Sequence, residues 1–267
     1  MKLDNKVVVI TGAGNGMGRE MTLEFVRRGA KVFGVDMNET ALQETAKLVG
    51  DDKKFAYQIL NITDRAAVAK LPAAVKEKLG ETDILVNNAG IIQPFVKVNA
   101  LEFDAIDRVM NVNFNGPVNM VKAFLPGLLK RKHASIANVS SMGGYGPVPG
   151  QTVYGASKAA VKLFTEGLRS ELLGSSVNVT LIYPGAIGTN IAGNSGIKMD
   201  MPESADAAKF KMTPAPDAGR MMVDAIEKEA PRAFIGSDAA MMDKLVRLMP
   251  VKAAELIAKQ MGSLLKD

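Results

Sequence analysis

The sequence predicts a doubly wound α/β sandwich, in which a parallel sheet carries helices on both faces. Three observations support this fold class. Short apolar runs rich in β-branched residues recur along the chain, set off by turn-forming residues. Stretches with apolar residues at helical spacing separate them. The runs are apolar throughout rather than alternating, as strands covered on both faces are.

The strand-like runs fall at 6–10, 31–36, 55–59, 83–87, 134–139 and 177–183. Helical stretches lie between them, at 19–29, 39–50, 64–80, 118–132 and 153–174. Right-handed crossovers then place helices on both sides of the sheet. At 267 residues the chain is read as one domain, residues 1–267. The rhythm breaks over 186–216, which holds Gly188, Gly193, Asn194, Gly196, Pro202, Pro214 and Pro216. A connection this long reads as a substrate lid, with a solvent loop as the alternative. Its Ile191, Ile197, Met199 and Met201 suit a lid that closes over something apolar. In residues 238–267, Leu245, Leu248, Met249, Leu256, Ile257, Met261, Leu264 and Leu265 recur near helical spacing. Pro250 divides that extension into two short helices. It packs on its own domain, caps a neighbouring subunit or lies on a membrane surface, and packing against protein is favoured.

Composition removes several classes of function. With no cysteine there is no disulfide, thiolate metal site or thiol nucleophile. No cluster of His, Asp and Glu has metal-ligand spacing, so no metal is expected. The formal charge of +5 comes from 33 basic and 28 acidic residues that are interleaved, and there is no Trp and only four Tyr to stack bases. Nucleic acid is therefore not an expected partner. No run reaches the ~18 apolar residues of a membrane span, and the N-terminus lacks the features of a signal peptide. A cytoplasmic protein is expected. The single His133 lies in a polar turn before the fifth strand, away from the ends where ligands bind, and reads as a surface residue.

Two constellations carry chemistry. After the first strand comes Thr11-Gly12-Ala13-Gly14-Asn15-Gly16-Met17-Gly18, followed by a helix. Glycines let the backbone turn sharply and approach a ligand, and the helix start offers free N–H groups to a pyrophosphate. Asp36 ends the second strand, where a carboxylate can accept bonds from both ribose hydroxyls and repels a 2′-phosphate. Met37 follows, and the glycine turn holds no Lys or Arg, so NAD is favoured over NADP. Asp36 could instead cap the next helix, although Asn38 is the better cap. The second constellation is Tyr154-Gly155-Ala156-Ser157-Lys158. Tyr154 and Lys158, four apart, share one helix face. The ammonium, with a nicotinamide ring, would draw the phenol pKa down toward neutrality, as a general acid–base requires. That pair alone is equally an ordinary helix contact. Ser141, at the end of the fifth strand, adds a hydroxyl that can polarise a substrate oxygen; a turn or cap is the other use of such a serine.

These residues, in this order, resemble the short-chain dehydrogenase/reductase family, in its single-domain, Rossmann-like branch with an Asn-Ser-Tyr-Lys tetrad. The resemblance covers residues 6 to about 190. It rests on the glycine turn, Asn87-Asn88-Ala89-Gly90, Asn113, Ser141, Tyr154-xxx-Lys158, and Pro184-Gly185 followed by Thr189. It implies an NAD-dependent oxidoreductase that interconverts a secondary alcohol and a ketone. Tyr154 would be the acid–base group, Lys158 would lower its pKa and hold the nicotinamide ribose, and Asn113 would organise a relay water. Asn88, Ala89 and Gly90 would line the adenosine side, while Ile187 and Thr189 would fix the carboxamide. Leu60-Asn61-Ile62 departs from the family, since Asn61 stands where an acidic residue usually meets adenine; its carbonyl can still accept that bond. The resemblance also implies a homodimer or homotetramer built on the helices of Val118 and Tyr154. Substrate contacts fall to Ser141, Met142, Gly143, Gln151, Tyr154 and the lid's Ile191. Met142, Met199, Met201 and Met212 would favour a bulky hydrophobic substrate. The alternatives are a silent NAD(H) sensor and an NADPH-dependent 3-ketoacyl reductase, the latter disfavoured by Asp36 and Met37.

Overall fold

The computed structural model describes residues 1–197 and 212–262. Six of its strands coincide closely with the apolar runs: β1 (Val7–Thr11), β2 (Lys31–Asp36), β3 (Phe55–Ile59), β4 (Ile84–Asn87), β5 (Ala134–Val139) and β6 (Val177–Pro184). With β9 (Arg232–Ile235) they form a seven-stranded sheet in the order β3-β2-β1-β4-β5-β6-β9, in which every pairing is parallel. The strand reading did not include β9. Its four residues, bounded by Pro231 and Gly236, make too short a run to stand out, and pairing with β6 supplies what the run itself lacks.

Period-two geometry explains the two cores. Along β1, Val8 and Ile10 join one apolar cluster, while Val7 and Val9 join the other. On the first face pack α1 (Gly16–Arg27), α2 (Glu39–Val49) and α8 (Ala215–Glu227), through Met21, Phe25, Leu42 and Met222. On the second pack α3 (Arg65–Leu79), α5 (Gly116–Leu128) and α6 (Thr152–Glu171), through Leu71, Phe124 and Leu168. This is the three-layer α/β/α sandwich the sequence predicts. Helix starts follow cap chemistry. Asn38 accepts from Ala41 N at 3.0 Å, and Asp64 accepts from Ala66 N and Ala67 N.

The helical spacing does not mark α8, nor the helix and turn that precede α5. Helix α4 (Phe103–Met110) runs into a π-helical turn at Asn111–Asn115, which then continues as α5. Such bulges cluster at functional sites, and this one contains Asn113.

The strand order reverses between β1 and β4, and the crevice of an open α/β sheet forms at that switch, outside the carboxyl ends of the strands. Thr11, Asp36, Asn87, Val139 and Pro184 all end strands at this edge. Of the stretch 186–216, the described part holds β7 (Ile187–Gly188), α7 (Ile191–Asn194) and β8 (Thr213–Pro214). β7 pairs with β8, so the two ends of the stretch lie side by side. Met199 and Met201 are outside the described residues. The chain closes with α9 (Ser237–Leu248) and α10 (Pro250–Met261), and Pro250 occupies the first turn of α10. The Tyr145 hydroxyl donates to Ala239 O at 2.7 Å, and Tyr145, Tyr183 and Phe234 pack ring against ring. This binds α9 to the loop after β5.

Candidate active site

A crevice of ≈ 1280 Å³ opens at the switch point. It is larger than the ~300–1,000 Å³ of a typical small-molecule site, leaving room for a dinucleotide and a second molecule. It is lined by Gly12, Asn15, Gly16, Met17, Asp36, Met37, Asn61, Ile62, Asn88, Ala89 and Gly90 at one side. Ser141, Met142, Gly143, Gln151, Tyr154, Lys158, Pro184, Gly185, Ile187, Thr189 and Ile191 complete the wall. Two of the expected residues stand behind it. Gly18 is buried where a Cβ would lie 1.9 Å from Gly12 O, so its role is to let α1 pack against the turn. Asn113 is wholly buried beneath the crevice.

The glycine turn fits a phosphate-bearing ligand. Gly12 and Gly16 have φ of 70° and 49°, which favours glycine. A Cβ on Gly16 would stand 3.3 Å from Thr189 Cγ2, filling the space between the helix start and the opposite wall. Thr11, to which the sequence reading gave no role, ties this turn to the next: its hydroxyl accepts from Asn88 N and Ala89 N, both at 3.0 Å. Asn87 donates to Asn138 Oδ1 at 2.8 Å, joining the ends of β4 and β5.

Asp36 does not cap α2. Its Oδ2 accepts from Gly14 N and its Oδ1 from Asn38 N, each at 3.0 Å, which fixes the carboxylate at the crevice edge. Arg19 follows the glycine turn but is held by Gly14 O, Thr45 Oγ1 and Glu44, at 2.7 Å for the last. Asn61 Oδ1 already accepts from Thr63 N and Thr63 Oγ1 within its own turn.

Tyr154 lies in the first turn of α6, with Lys158 one turn on and Ser141 facing it from the end of β5. A Cβ on Gly143 would touch Tyr154 Cε1 at 3.3 Å and Ser141 Oγ at 3.5 Å, so glycine there leaves the phenol and hydroxyl uncovered. Lys158 is buried, with Nζ 6.0 Å from the Tyr154 ring centroid and donating to Val139 O at 3.1 Å. Gly90 makes room for it, because a Cβ there would lie 3.0 Å from Lys158 Nζ. Burial lowers the Lys158 pKa to about 8. Burial also raises the phenol of Tyr154 above its ordinary value, and the hydrogen bond with Ser141 opposes this only in part. The lowered phenol pKa expected from the sequence is thus not a property of the protein alone. Desolvation of the phenolate dominates, opposed by Ser141, while the ammonium donates to the Val139 carbonyl.

Asn113 accepts from Ile91 N at 2.8 Å and donates to Ile91 O at 2.9 Å and to Ser157 Oγ at 3.0 Å. Ser157 in turn donates to Tyr154 O at 2.7 Å. Ser157 and Gln93 escaped the sequence reading. Ser157 stood in view within Tyr154–Lys158 as a small residue between two louder ones; Gln93 carried no motif. Met212 is exposed and does not line the crevice, contrary to expectation; Ile92, Phe95 and Val148 supply the apolar wall. His133 contacts Glu229 and Asn178 on the surface away from the crevice.

Comparison with known proteins agrees with this arrangement. The family profile described as short chain dehydrogenase matches residues 6–200. The protein SadH of Mycobacterium tuberculosis is 35% identical over 265 residues, covering 96% of this chain and 95% of SadH.

The chain belongs to the short-chain dehydrogenase family.

A solved family member from Burkholderia phymatum, in complex with NAD, superposes with a TM-score of 0.82 at 26% identity, covering 93% of this chain and 96% of that one. A short chain dehydrogenase from Burkholderia cenocepacia, in complex with NADP, gives 0.80 at 25% identity, covering 96% and 99%. Among the described residues no helix is long and apolar enough to cross a membrane.

Proposed function

We propose that this oxidoreductase uses NAD to interconvert a secondary alcohol and a ketone, with Tyr154 as the proton-transfer group. The observation that carries the reading is the meeting of Tyr154, Ser141 and Lys158 at one wall of a crevice whose opposite side is the glycine turn. A nicotinamide dinucleotide, when bound, supplies the hydride acceptor or donor. Gly12, Asn15, Gly16 and Met17 would hold its pyrophosphate at the start of α1. Asp36 would hold the adenosine ribose, Asn61, Ile62, Asn88, Ala89 and Gly90 would line the adenosine side, and Pro184, Gly185, Ile187 and Thr189 would border the nicotinamide.

In the oxidative direction Ser141 Oγ holds the substrate oxygen and Tyr154 takes its proton; in the reductive direction Tyr154 returns it. Charge near the phenol determines when it can ionise. Lys158 supplies part of that charge, and with burial opposing it, the proton-transfer state depends on the loaded crevice. Asn113, locked on Ile91 and Ser157, keeps the floor beneath Lys158 polar. Met142, Gly143, Gln151 and Ile191 would contact the rest of the substrate, with Ile92, Phe95 and Val148 favouring a hydrophobic one.

The similar structures hold NAD in one case and NADP in the other, so the cofactor choice rests on Asp36 and on an Arg19 already occupied by Glu44. We further read 186–216 as a lid, 238–267 as an extension that supports the substrate loop through Tyr145, and the protein as a cytoplasmic homo-oligomer. Leu163 on α6, 70% exposed, supports a subunit contact there. The test is NADH formation against secondary alcohols of graded size, repeated with NADP. Turnover with NAD on the larger alcohols is expected. A clear preference for NADP refutes the argument from Asp36; no turnover of any alcohol or ketone, with NAD still bound, favours a sensor.

A further inference from the structure

Helix α6 carries Tyr154 in its first turn, yet its N-cap residue, Gln151, makes no side-chain bond to that turn. The first N–H groups of a helix have no partners within it, and when buried they must find them elsewhere. Here they find one distant residue. Gln93, on the loop after β4 and fully buried, accepts from Val153 N at 2.8 Å and from Tyr154 N at 3.0 Å with its single Oε1. Its main-chain carbonyl accepts from Gln151 Nε2 at 2.7 Å, so the same residue grips the helix start twice. The other end of its amide does nothing comparable, since Gln93 Nε2 is buried with no partner among the described residues. What the site uses is the acceptor oxygen.

We propose that Gln93 is a positioning residue for Tyr154, setting the height and rotation of the first turn of α6 from the neighbouring loop. This inference rests on the reading of Tyr154 as the proton-transfer group. One of its two bonds goes to the backbone of Tyr154 itself, so a change at Gln93 reaches the phenol through a single residue. The same loop carries Ile91, which holds Asn113, and Ile92, whose N–H donates to Ser195 Oγ just beyond α7 at 3.0 Å. Three consecutive residues after Gly90 therefore align three walls of the crevice, and Gln93 is the one that aligns the wall bearing the phenol. Small displacements of a reacting group carry large kinetic effects, up to about a hundredfold for ~1 Å.

The experiment compares Gln93→Met, which keeps the length but removes the acceptor, with Gln93→Glu, which keeps the acceptor oxygen and, read at acid pH where the new carboxyl is neutral, replaces the idle Nε2 by a hydroxyl. Both are made in the full chain labelled with carbon-13 at the tyrosine Cζ. With four tyrosines in the sequence, the Tyr154 resonance is assigned by its loss in Tyr154→Phe. In Gln93→Met the Tyr154 line should shift or split while those of Tyr57, Tyr145 and Tyr183 stay in place, and Gln93→Glu should restore it. In parallel, with NAD and a medium-chain secondary alcohol, kcat of Gln93→Met should fall about tenfold or more with the KM for NAD within about twofold. Should Gln93→Met fail to fold, Gln93→Ala, which admits water to the two N–H groups, carries the same comparison. An unmoved Tyr154 line, movement of all four lines together, or no restoration by Gln93→Glu overturns the proposal. If the line behaves as expected but no alcohol turns over, the positioning role stands and the oxidoreductase reading falls.

Discussion

Replacing Asn113 with leucine keeps the branching of the side chain and removes its polar atoms. Three hydrogen bonds disappear from one buried point, those to Ile91 N, Ile91 O and Ser157 Oγ. Each partner is left without the bond it had, in a place where Asn113 itself is 0% exposed. An orphaned buried polar group costs on the order of 1 kcal/mol or more, so the loss is about 3 kcal/mol. That is a large part of the 5–15 kcal/mol that holds a typical protein folded, as a rough scale. For a chain of this size, about 2–4 °C is lost per kcal/mol, giving a fall of roughly 6–12 °C in melting temperature. Thermal unfolding followed by circular dichroism measures it directly. The π-helical turn at Asn111–Asn115 has its bulge held by the same bonds, so the far-ultraviolet signal should also change slightly. A melting temperature within a degree of wild type would refute the claim that Asn113 locks this junction.

Three other outcomes are expected. Asp36→Asn removes a charge at the ribose end of the crevice. Like charges about 4 Å apart repel by roughly 1–4 kcal/mol between water and protein-surface dielectrics, so the ratio of NADP to NAD affinity should rise by about fivefold to nearly a thousandfold; an unchanged ratio in a fluorescence titration contradicts the assignment. Lys158→Met should abolish turnover and yet raise the melting temperature at neutral pH. The buried ammonium, with its pKa at about 8 against an ordinary 10.5, costs stability in full below pH 8, and the cost fades as pH rises toward 10.5. That gap is about 3 kcal/mol, less about 1 kcal/mol for the lost bond to Val139 O, or roughly 4–8 °C; a lower melting temperature at neutral pH would contradict it. Tyr145→Phe breaks the bond to Ala239 O that joins the substrate loop to α9. It should raise KM for the alcohol and leave NAD binding unchanged, and a loss of NAD affinity instead would show that α9 supports the cofactor side.

How much was legible in the sequence depended on how local the cause was. The runs at 31–36, 55–59 and 134–139 match their strands residue for residue; at 134–139 this is because a strand covered on both faces is apolar throughout, whereas the edge strand at 55–59 leaves Tyr57 and Ile59 exposed. β9 was missed since Arg232–Ile235 is short and owes its strand form to β6. The wall of the crevice was legible because glycine turns and the Tyr154–Lys158 spacing are local patterns. Gln93 was not, because its partners lie 60 and 61 residues away and nothing in its own neighbourhood marks it. Nor could the sequence weigh burial against charge at Tyr154. The four-residue spacing pointed to a lowered phenol pKa, whereas the folded crevice desolvates the phenol and turns the balance upward.

The central claim, that Tyr154 transfers the proton in an NAD-linked oxidation, is tested most directly by comparing wild type with Tyr154→Phe for NADH formation from a hydrophobic secondary alcohol. The ring is kept and the hydroxyl alone removed, so NAD should still bind within about twofold. General acid–base contributions run at about a hundredfold to ten-thousandfold, and kcat should fall by that much. A Tyr154→Phe enzyme that binds NAD and still turns over at the wild-type rate would contradict the account.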